Sequence, residues 1–163
     1  MPNDIKLDQI DRRILEIIQE DARVSNADLA ARIGLSPSPC WRRVRALEAS
    51  KVIDRYVTVV NSQAIGLPVN VFAMVTLERQ IETALGHFEE QVSNRPEVME
   101  CYLMTGDFDY LLRIVVPDLA AYERFLMDHL TKIKGIASIK SSFALKQVRY
   151  KTNLPLEHIR VAG

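Results

Sequence analysis

Histidine and cysteine are scarce in this sequence, and their spacing argues against the common metal and disulfide sites. The 163-residue chain has two cysteines, Cys40 and Cys101, and three histidines, His87, His129 and His158. None of them stands in a CxxC or Cys/His pattern. Isolated thiols of this kind are typical of buried, reduced cysteines. We therefore expect no metal, no structural disulfide and no cofactor.

Long apolar runs and catalytic motifs are also missing. No stretch approaches the ~18 apolar residues of a membrane-spanning helix, and the N-terminal MPNDIKLDQ lacks the apolar core of a signal peptide. The sequence has no Ser/His/Asp set, nucleophile motif or phosphate-binding loop. We therefore expect a cytoplasmic protein that is not an enzyme. The formal net charge is zero, so a nucleic-acid partner would have to be recognised from a local patch.

Helical periodicity dominates the first sixty residues. The segment LDQIDRRILEIIQED has apolar residues at helical spacing, with Asp8 as a candidate N-cap. A second helix follows Ser25, which with Asp28 resembles a capping box, and it ends naturally at Gly34. Prolines 37 and 39 then fit the first turn of a third helix that Ser36 or Ser38 caps. The prolines thus start this helix rather than break it.

The third predicted helix has an apolar face and a basic face. Cys40, Val44 and Leu47 recur on the inward side. The outward side holds Ser38, Arg42 and Arg45, with Arg43 at its edge. Residues 32–55 contain six Lys or Arg and only two acids. Two short helices with this basic surface predict a helix-turn-helix, whose second helix enters the major groove of DNA. A plain solvated face remains the alternative.

The rest of the chain alternates strands and helices in the order β-α-β-β-α-β, the ferredoxin-like pattern. Before it, VIDRYVTVV (52–60) reads as a strand or short hairpin, and NSQAIGLP as a linker. IASIKSSFALKQVRY (136–150) is predicted to be a long final strand. The predicted domains are residues 1–60, a helix-turn-helix, residues 61–68, a linker, and residues 69–163, an α+β domain. The first strand of that domain is apolar on both faces, so a second copy of the sheet is expected to cover the face without helices.

One turn of the second domain has the chemistry to bind a small zwitterion. TGDFD brings Gly106, Asp107 and Asp109 together between two strands. Either carboxylate suits an ammonium group, and backbone N–H groups of the turn suit a carboxylate. Asp and Gly are also common in plain hairpin turns, so composition alone leaves both interpretations open.

These residues together resemble a known family. The stretch LDQIDRRILEIIQEDARVSNADLAARIGLSPSPCWRRVRALE with the following VIDRY, the turn TGDFDYLL and the closing SSFALKQVRYKTNLPL are similar to the Lrp/AsnC, or feast/famine, regulators. There are two departures. Lys51 stands where the family often has glycine after the recognition helix, and Phe108 replaces the tyrosine of the family turn.

The resemblance implies a transcription regulator with a winged helix-turn-helix and a βαββαβ effector domain. Such proteins dimerise, commonly form octamers, and respond to amino acids such as leucine or methionine. Carried over by position, the DNA-facing candidates are Ser36, Ser38, Arg42, Arg43 and Arg45. The effector candidates are Tyr102, Met104, Thr105, Gly106, Asp107, Asp109 and Ser141, the last of these from a neighbouring subunit.

Three other functions remain open at this point. The protein could be an architectural DNA-binding protein without an effector, a stand-alone metabolite sensor, or a small enzyme on a ferredoxin-like dimer. The enzyme lacks catalytic candidates and would not need the arginine-rich helix. Amino-acid binding separates the first alternative from an effector-gated regulator, and DNA binding separates the other two.

Overall fold

The computed structural model describes residues 7–159, which divide into two compact units. One unit combines the chain up to Val59 with the segment from Arg149 onward, and the other is Val60–Val148. The sequence placed residues 149–159 in the second domain, whereas the structure groups them with the first unit. The outer ends of both predicted domains, 1–6 and 160–163, lie outside the described residues. Within 7–159, no helix is both long and apolar enough to cross a membrane.

The first unit contains three helices, α1 (Gln9–Glu20), α2 (Asn26–Ile33) and α3 (Pro37–Ala49). The predicted start signals are confirmed. Asp8 caps α1 in a reciprocal capping box with Asp11, and the Ser25 side chain accepts the Asp28 N–H at the start of α2. Gly34 ends α2 with φ +72°, a left-handed conformation that glycine adopts without steric cost.

The core of the first unit lies between the helices and is completed by the end of the chain. Ile14 and Cys40 are fully buried there. Leu156 and Ile159 pack against this cluster. The amide of the Gln19 side chain also bonds the backbone of Leu154, accepting its N–H at 2.7 Å and donating to its carbonyl. The C-terminal segment is therefore part of the helical unit, although it is remote from it in sequence.

The end of α3 takes the turn that usually requires glycine. Lys51 has φ +61°, and its N–H bonds the carbonyl of Glu48 while the N–H of Val52 bonds that of Leu47. This is the Schellman arrangement, in which the left-handed position is normally glycine. The departure from the family pattern at Lys51 thus leaves the turn intact and places a lysine in a conformation that costs ~1 kcal/mol.

Residues 52–60 correct one sequence prediction, because they form no strand in the structure. A strand needs a hydrogen-bonded neighbour, and within the described residues none pairs with this segment. Val52 and Ile53 pack against the core of the first unit, whereas the apolar side chains that follow are exposed, namely Tyr56, Val57, Val59 and Val60. Residues 61–68, the predicted linker, form a tight turn organised by the Asn61 side chain.

The second unit confirms the ferredoxin-like order. Its elements are β1 (Val69–Leu77), α4 (Glu82–Ser93), β2 (Val98–Leu103), β3 (Tyr110–Val116), α5 (Leu119–Asp128), a 3-10 turn (Leu130–Lys132) and β4 (Ile136–Phe143). The four strands form one sheet in the order β2-β3-β1-β4, and all neighbouring pairs are antiparallel. The long final strand was predicted to reach residue 150 but ends at Phe143. The neighbouring strand β1 begins at Val69, and the last backbone bond to it runs from the Ala144 N–H to the Asn70 carbonyl. The residues after Ala144 therefore have no strand beside them in the described part of the chain.

The two faces of the sheet differ in burial. Alternate residues of β1, such as Val71 and Val75, are fully buried and pack in one cluster with Phe88 of α4 and Phe125 of α5. The intervening side chains of β1 are only partly buried. The registers place Phe72 and Met74 of β1, Leu111 of β3 and Tyr102 of β2 together on that second face. The same registers place Arg113, Lys140 and Ser142 opposite Phe72 and Met74, so this face mixes apolar and polar side chains. It is the face that the sequence predicted a second copy would cover.

Candidate DNA and effector sites

The start of α3 is fixed by the helix that precedes it. The Asn26 side chain at the beginning of α2 donates to the carbonyl of Pro37 at 2.8 Å. Leu35 in the intervening turn bonds back to Ala30. The relative placement of the two helices is therefore set by hydrogen bonds at both ends of α2. The sequence reading missed Asn26, although an amide one residue after the cap of α2 was a visible signal.

The N-terminus of α3 offers fewer backbone donors than an ordinary helix. Its first and third residues, Pro37 and Pro39, have no N–H group, which leaves Ser38 as the donor among the first three positions. Ser36 is the N-cap, but its side chain makes no capping hydrogen bond. The hydroxyls of Ser36 and Ser38 are exposed. Any phosphate contact here would rest on these hydroxyls and one N–H.

Two of the DNA-facing candidates are exposed arginines with different surroundings. Arg42 is exposed, and within residues 7–159 no acid pairs with it. Arg45 lies over the Trp41 ring, with its guanidinium carbon 5.5 Å from the ring centre, and pairs with Glu48 at 3.0 Å. The Arg45 side chain is still 63% exposed. Arg42 is thus the arginine best placed to meet DNA without first breaking another contact.

Arg43 is held within the first unit instead of projecting from it. One guanidinium nitrogen bonds Asp8 at 2.7 Å and Asp11 at 2.8 Å, the two members of the α1 capping box. Burial raises the pKa of Asp8, but the hydrogen bonds from the Asp11 N–H and from Arg43 outweigh burial and lower it. The same two carboxylates raise the pKa of Arg43. Arg43 therefore connects α3 to the start of α1.

The candidate effector turn joins β2 to β3. Met104 N–H bonds the carbonyl of Asp109 at 2.8 Å and closes the turn. Gly106 has φ +118°, which side-chain-bearing residues rarely adopt. Thr105 and Asp107 are exposed. Tyr102, at the end of β2, is exposed and donates to Glu100 at 3.1 Å.

Asp109 is buried, with 5% of its surface exposed, and both carboxylate oxygens are engaged. One accepts the N–H of Leu77 at 2.7 Å, and the other accepts from the Gln80 side chain. The backbone N–H of Asp109 bonds the Val75 carbonyl. Asp109 thus ties the turn to the end of β1, and Asp107 is the carboxylate that the turn presents to solvent. The sequence reading missed Gln80 because the two residues are far apart in the chain.

Ser141 lies on β4, away from the turn in sequence, and its hydroxyl is hydrogen-bonded to Tyr122 of α5. Burial raises the pKa of Tyr122, partly offset by this hydrogen bond. Ser142, its neighbour on the strand, pairs with Phe72. The structure gives Ser141 a partner within its own unit, and a contact with an effector stays a prediction.

In the first unit a fixed turn joins two short helices, and the second of them is basic on its exposed side, which is the arrangement of a DNA-binding helix-turn-helix. Residues 7–54 match the family model described as winged helix-turn-helix DNA-binding. Residues 70–154 match the model of the Lrp/AsnC ligand binding domain. The chain therefore belongs to the Lrp/AsnC family of DNA-binding transcriptional regulators, as its sequence predicted.

Individual relatives agree with this assignment. The chain is 46% identical to the Bkd operon transcriptional regulator of Pseudomonas aeruginosa, over 93% of this chain and 99% of that protein. It is 37% identical to the leucine-responsive regulatory protein of Escherichia coli, over 93% and 92% of the two chains.

Solved structures show the same fold. The transcriptional regulator NMB0573 of Neisseria meningitidis, crystallised as a complex with L-Met, has a TM-score of 0.90 at 36% identity, over 94% of this chain and 99% of that one. An AsnC family transcriptional regulator of Agrobacterium tumefaciens has a TM-score of 0.90 at 44% identity, over 94% and 100%.

Proposed function

We propose that this regulator reads operator DNA with the exposed face of α3 and that an amino acid bound at the β2–β3 turn controls it. The observation that carries the DNA part is Arg42, an exposed arginine that no acid of residues 7–159 pairs with, on a helix whose start Asn26 fixes. An arginine so placed can donate two hydrogen bonds to one guanine. Ser36, Ser38 and Arg45 are the neighbouring contacts, and Arg43 holds the helix in position.

The proposed effector is a free amino acid such as leucine or methionine. The relative from Neisseria meningitidis with the same fold is described as a complex with L-Met, which supports this class. In the turn, Asp107 is the exposed carboxylate for an ammonium group, and Gly106 allows a ligand to approach the backbone closely. Asp109 is bonded to the end of β1, so its role is to position the turn.

The proposed assembly is a homodimer, extended to an octamer by contacts between dimers. The sheet face that carries Phe72, Met74, Tyr102 and Leu111 is the proposed dimer surface. Paired α3 helices must lie one DNA turn apart, ~34 Å, to reach two half-sites. An effector that binds one assembly better than another would shift this spacing and so change DNA affinity.

Arg42→Ala tests the DNA part. Loss of a bidentate base contact should weaken binding to a cognate operator by ~1–3 kcal/mol, which is about 5- to 150-fold, and reduce discrimination at one base pair. Arg13→Ala is the matched control, because it removes the same charge from an exposed position on α1. Equal operator affinity of the two variants in fluorescence anisotropy would refute the proposed contact.

Asp107→Asn tests the effector part. Calorimetric titration with the twenty amino acids should identify a ligand for the wild type, and the variant should bind it at least tenfold more weakly because the ammonium loses its counter-charge. Glu123→Gln, an exposed change of equal charge on α5, should leave the affinity unchanged. If none of the amino acids binds the wild type, the protein is an architectural DNA-binding protein, the alternative function.

A further inference from the structure

The helices of the second unit border a polar cleft of about 340 Å³ that the effector turn does not line. It lies between α4, with Arg95 two residues beyond its end, and the end of α5 with the segment up to Lys134. The charged and titratable side chains around it are His87, Arg95, Asp128, His129, Lys132 and Lys134. This volume falls in the range of ordinary small-molecule pockets.

The cleft is positively charged, although the chain as a whole is neutral. Arg95, Lys132 and Lys134 carry three positive charges, and Asp128 carries one negative charge, which leaves an excess of two before the histidines are counted. Lys132 is paired with Asp128 at 3.3 Å. Removing this pair from the count leaves Arg95 and Lys134 as two positive charges that face the same space.

Arg95 is the most informative residue of the cleft. It is partly buried, and no carboxylate in the described part of the chain forms an ion pair with it. Its recorded bonds are backbone bonds, from its N–H to Val92 and from Val98 to its carbonyl. Its guanidinium is thus a planar donor group at the cleft that no carboxylate of the described residues engages, which leaves it available to an anion.

We propose that this cleft binds a phosphate-bearing small molecule. A phosphate monoester carries a charge of about −1.5 to −2 at neutral pH, which matches the excess of two positive charges. A free amino acid is a zwitterion without net charge, and a monocarboxylate would leave one positive charge uncompensated. Arg95 supplies the planar fork that suits phosphate oxygens, and Lys134 supplies a mobile point charge. The cleft is therefore a second ligand site, different in chemistry from the turn.

Calorimetric titration of the full chain with pyrophosphate and with adenosine 5′-monophosphate tests the proposal, with adenosine as the uncharged probe. We expect saturable binding of both phosphates at millimolar concentration or below and none of adenosine. Arg95→Gln should weaken binding about tenfold or more, because a charge-assisted hydrogen bond is lost. Lys134→Gln, an exposed substitution, should weaken it in the same direction and covers the case in which Arg95→Gln impairs folding.

Arg124→Gln is the control, because it removes the same charge from an exposed position on α5 that does not line the cleft. Asp107→Asn should leave pyrophosphate affinity unchanged, which separates this site from the proposed effector turn. The proposal is overturned if pyrophosphate does not bind, or if Arg95→Gln and Arg124→Gln bind it equally well. It is also overturned if the cleft variants weaken DNA binding while neither phosphate probe binds, because the recognised phosphates would then be those of the DNA backbone.

Discussion

Replacing Arg43 by glutamine separates a positioning arginine from a DNA-contacting one. Arg43 joins α3 to the α1 capping box through two charged hydrogen bonds, to Asp8 at 2.7 Å and to Asp11 at 2.8 Å. Its side chain is 33% exposed, and those of the two acids are 40% and 15% exposed. The glutamine variant removes the charge and retains much of the side-chain length.

The expected cost lies between two known limits. Fully exposed ion pairs contribute ~0.2–1 kcal/mol, whereas hydrogen bonds to charged groups contribute ~1.5–3 kcal/mol. Since these groups are partly exposed, we expect Arg43→Gln to lower the free energy of unfolding by about 1–2 kcal/mol. Arg12→Gln breaks a single i,i+4 pair with Glu16 within α1, whose side chains are 29% and 49% exposed. It should cost about 0.5 kcal/mol or less, because one such pair within a helix contributes no more than that.

Urea unfolding, monitored by tryptophan fluorescence, measures this difference for the first unit. Trp41 is the single tryptophan of the chain and belongs to α3. The pH dependence supplies an independent check. The pKa of Asp8 is lowered in the folded protein, so its stabilisation is complete above about pH 4 and is lost as the pH falls through the lowered value. The difference between wild type and Arg43→Gln should therefore shrink in acid.

DNA binding gives the result that would refute this reasoning. Removing a phosphate contact reduces the slope of log affinity against log salt by about 0.9. We expect Arg43→Gln to weaken operator binding without changing this slope, since the residue acts through the position of α3. Two results together would make Arg43 a phosphate contact and exclude the positioning role. Arg43→Gln would show a reduced slope, and its free energy of unfolding would be no lower than that of Arg12→Gln.

Three further substitutions test single features of the fold. Lys51→Gly should raise the free energy of unfolding of the first unit by about 0.5–1 kcal/mol. Glycine adopts the left-handed conformation without strain, and the strain removed exceeds the extra backbone entropy that glycine loses on folding. An unchanged urea midpoint would show that Lys51 is not strained. Asp109→Ala should cost about 1–3 kcal/mol by leaving the Leu77 N–H without its acceptor, visible as faster amide exchange at Leu77, and wild-type protection there would contradict it. Leu156→Ala should destabilise the first unit by about 1–2 kcal/mol through lost packing, and a Trp41 unfolding curve identical to wild type would show that the C-terminal segment contributes nothing.

Local signals in the sequence predicted the elements of the fold well. Asp8, Ser25 and Gly34 act within four residues of the helix ends that they define, so their effect can be read from neighbours along the chain. β1 was predicted as a strand from a segment that is apolar on both faces, and the structure adds which face is buried, since its buried and partly buried residues alternate. Element order then determined the ferredoxin-like topology.

Features that depend on distant partners could not be predicted in this way. The roles of Arg43 and Asp109 depend on acceptors or donors roughly thirty residues away, and a charged side chain at a helix edge gives no sign of its partner. β4 ends where its neighbour β1 begins. The sequence cannot show this limit, so the apolar residues after Phe143 extended the predicted strand beyond its last paired residue. Residues 52–60 have strand composition but no neighbour in the described chain.

The packing of Leu156 and Ile159 against the helical unit has a consequence for biosynthesis. The ribosome makes the three helices early, yet Leu156 and Ile159, which pack against their apolar cluster, are made only after the whole second unit. A nascent or prematurely terminated chain would hold a DNA-binding unit with an unfilled groove and reduced stability. The helices therefore reach their full packing only after synthesis has passed Ile159.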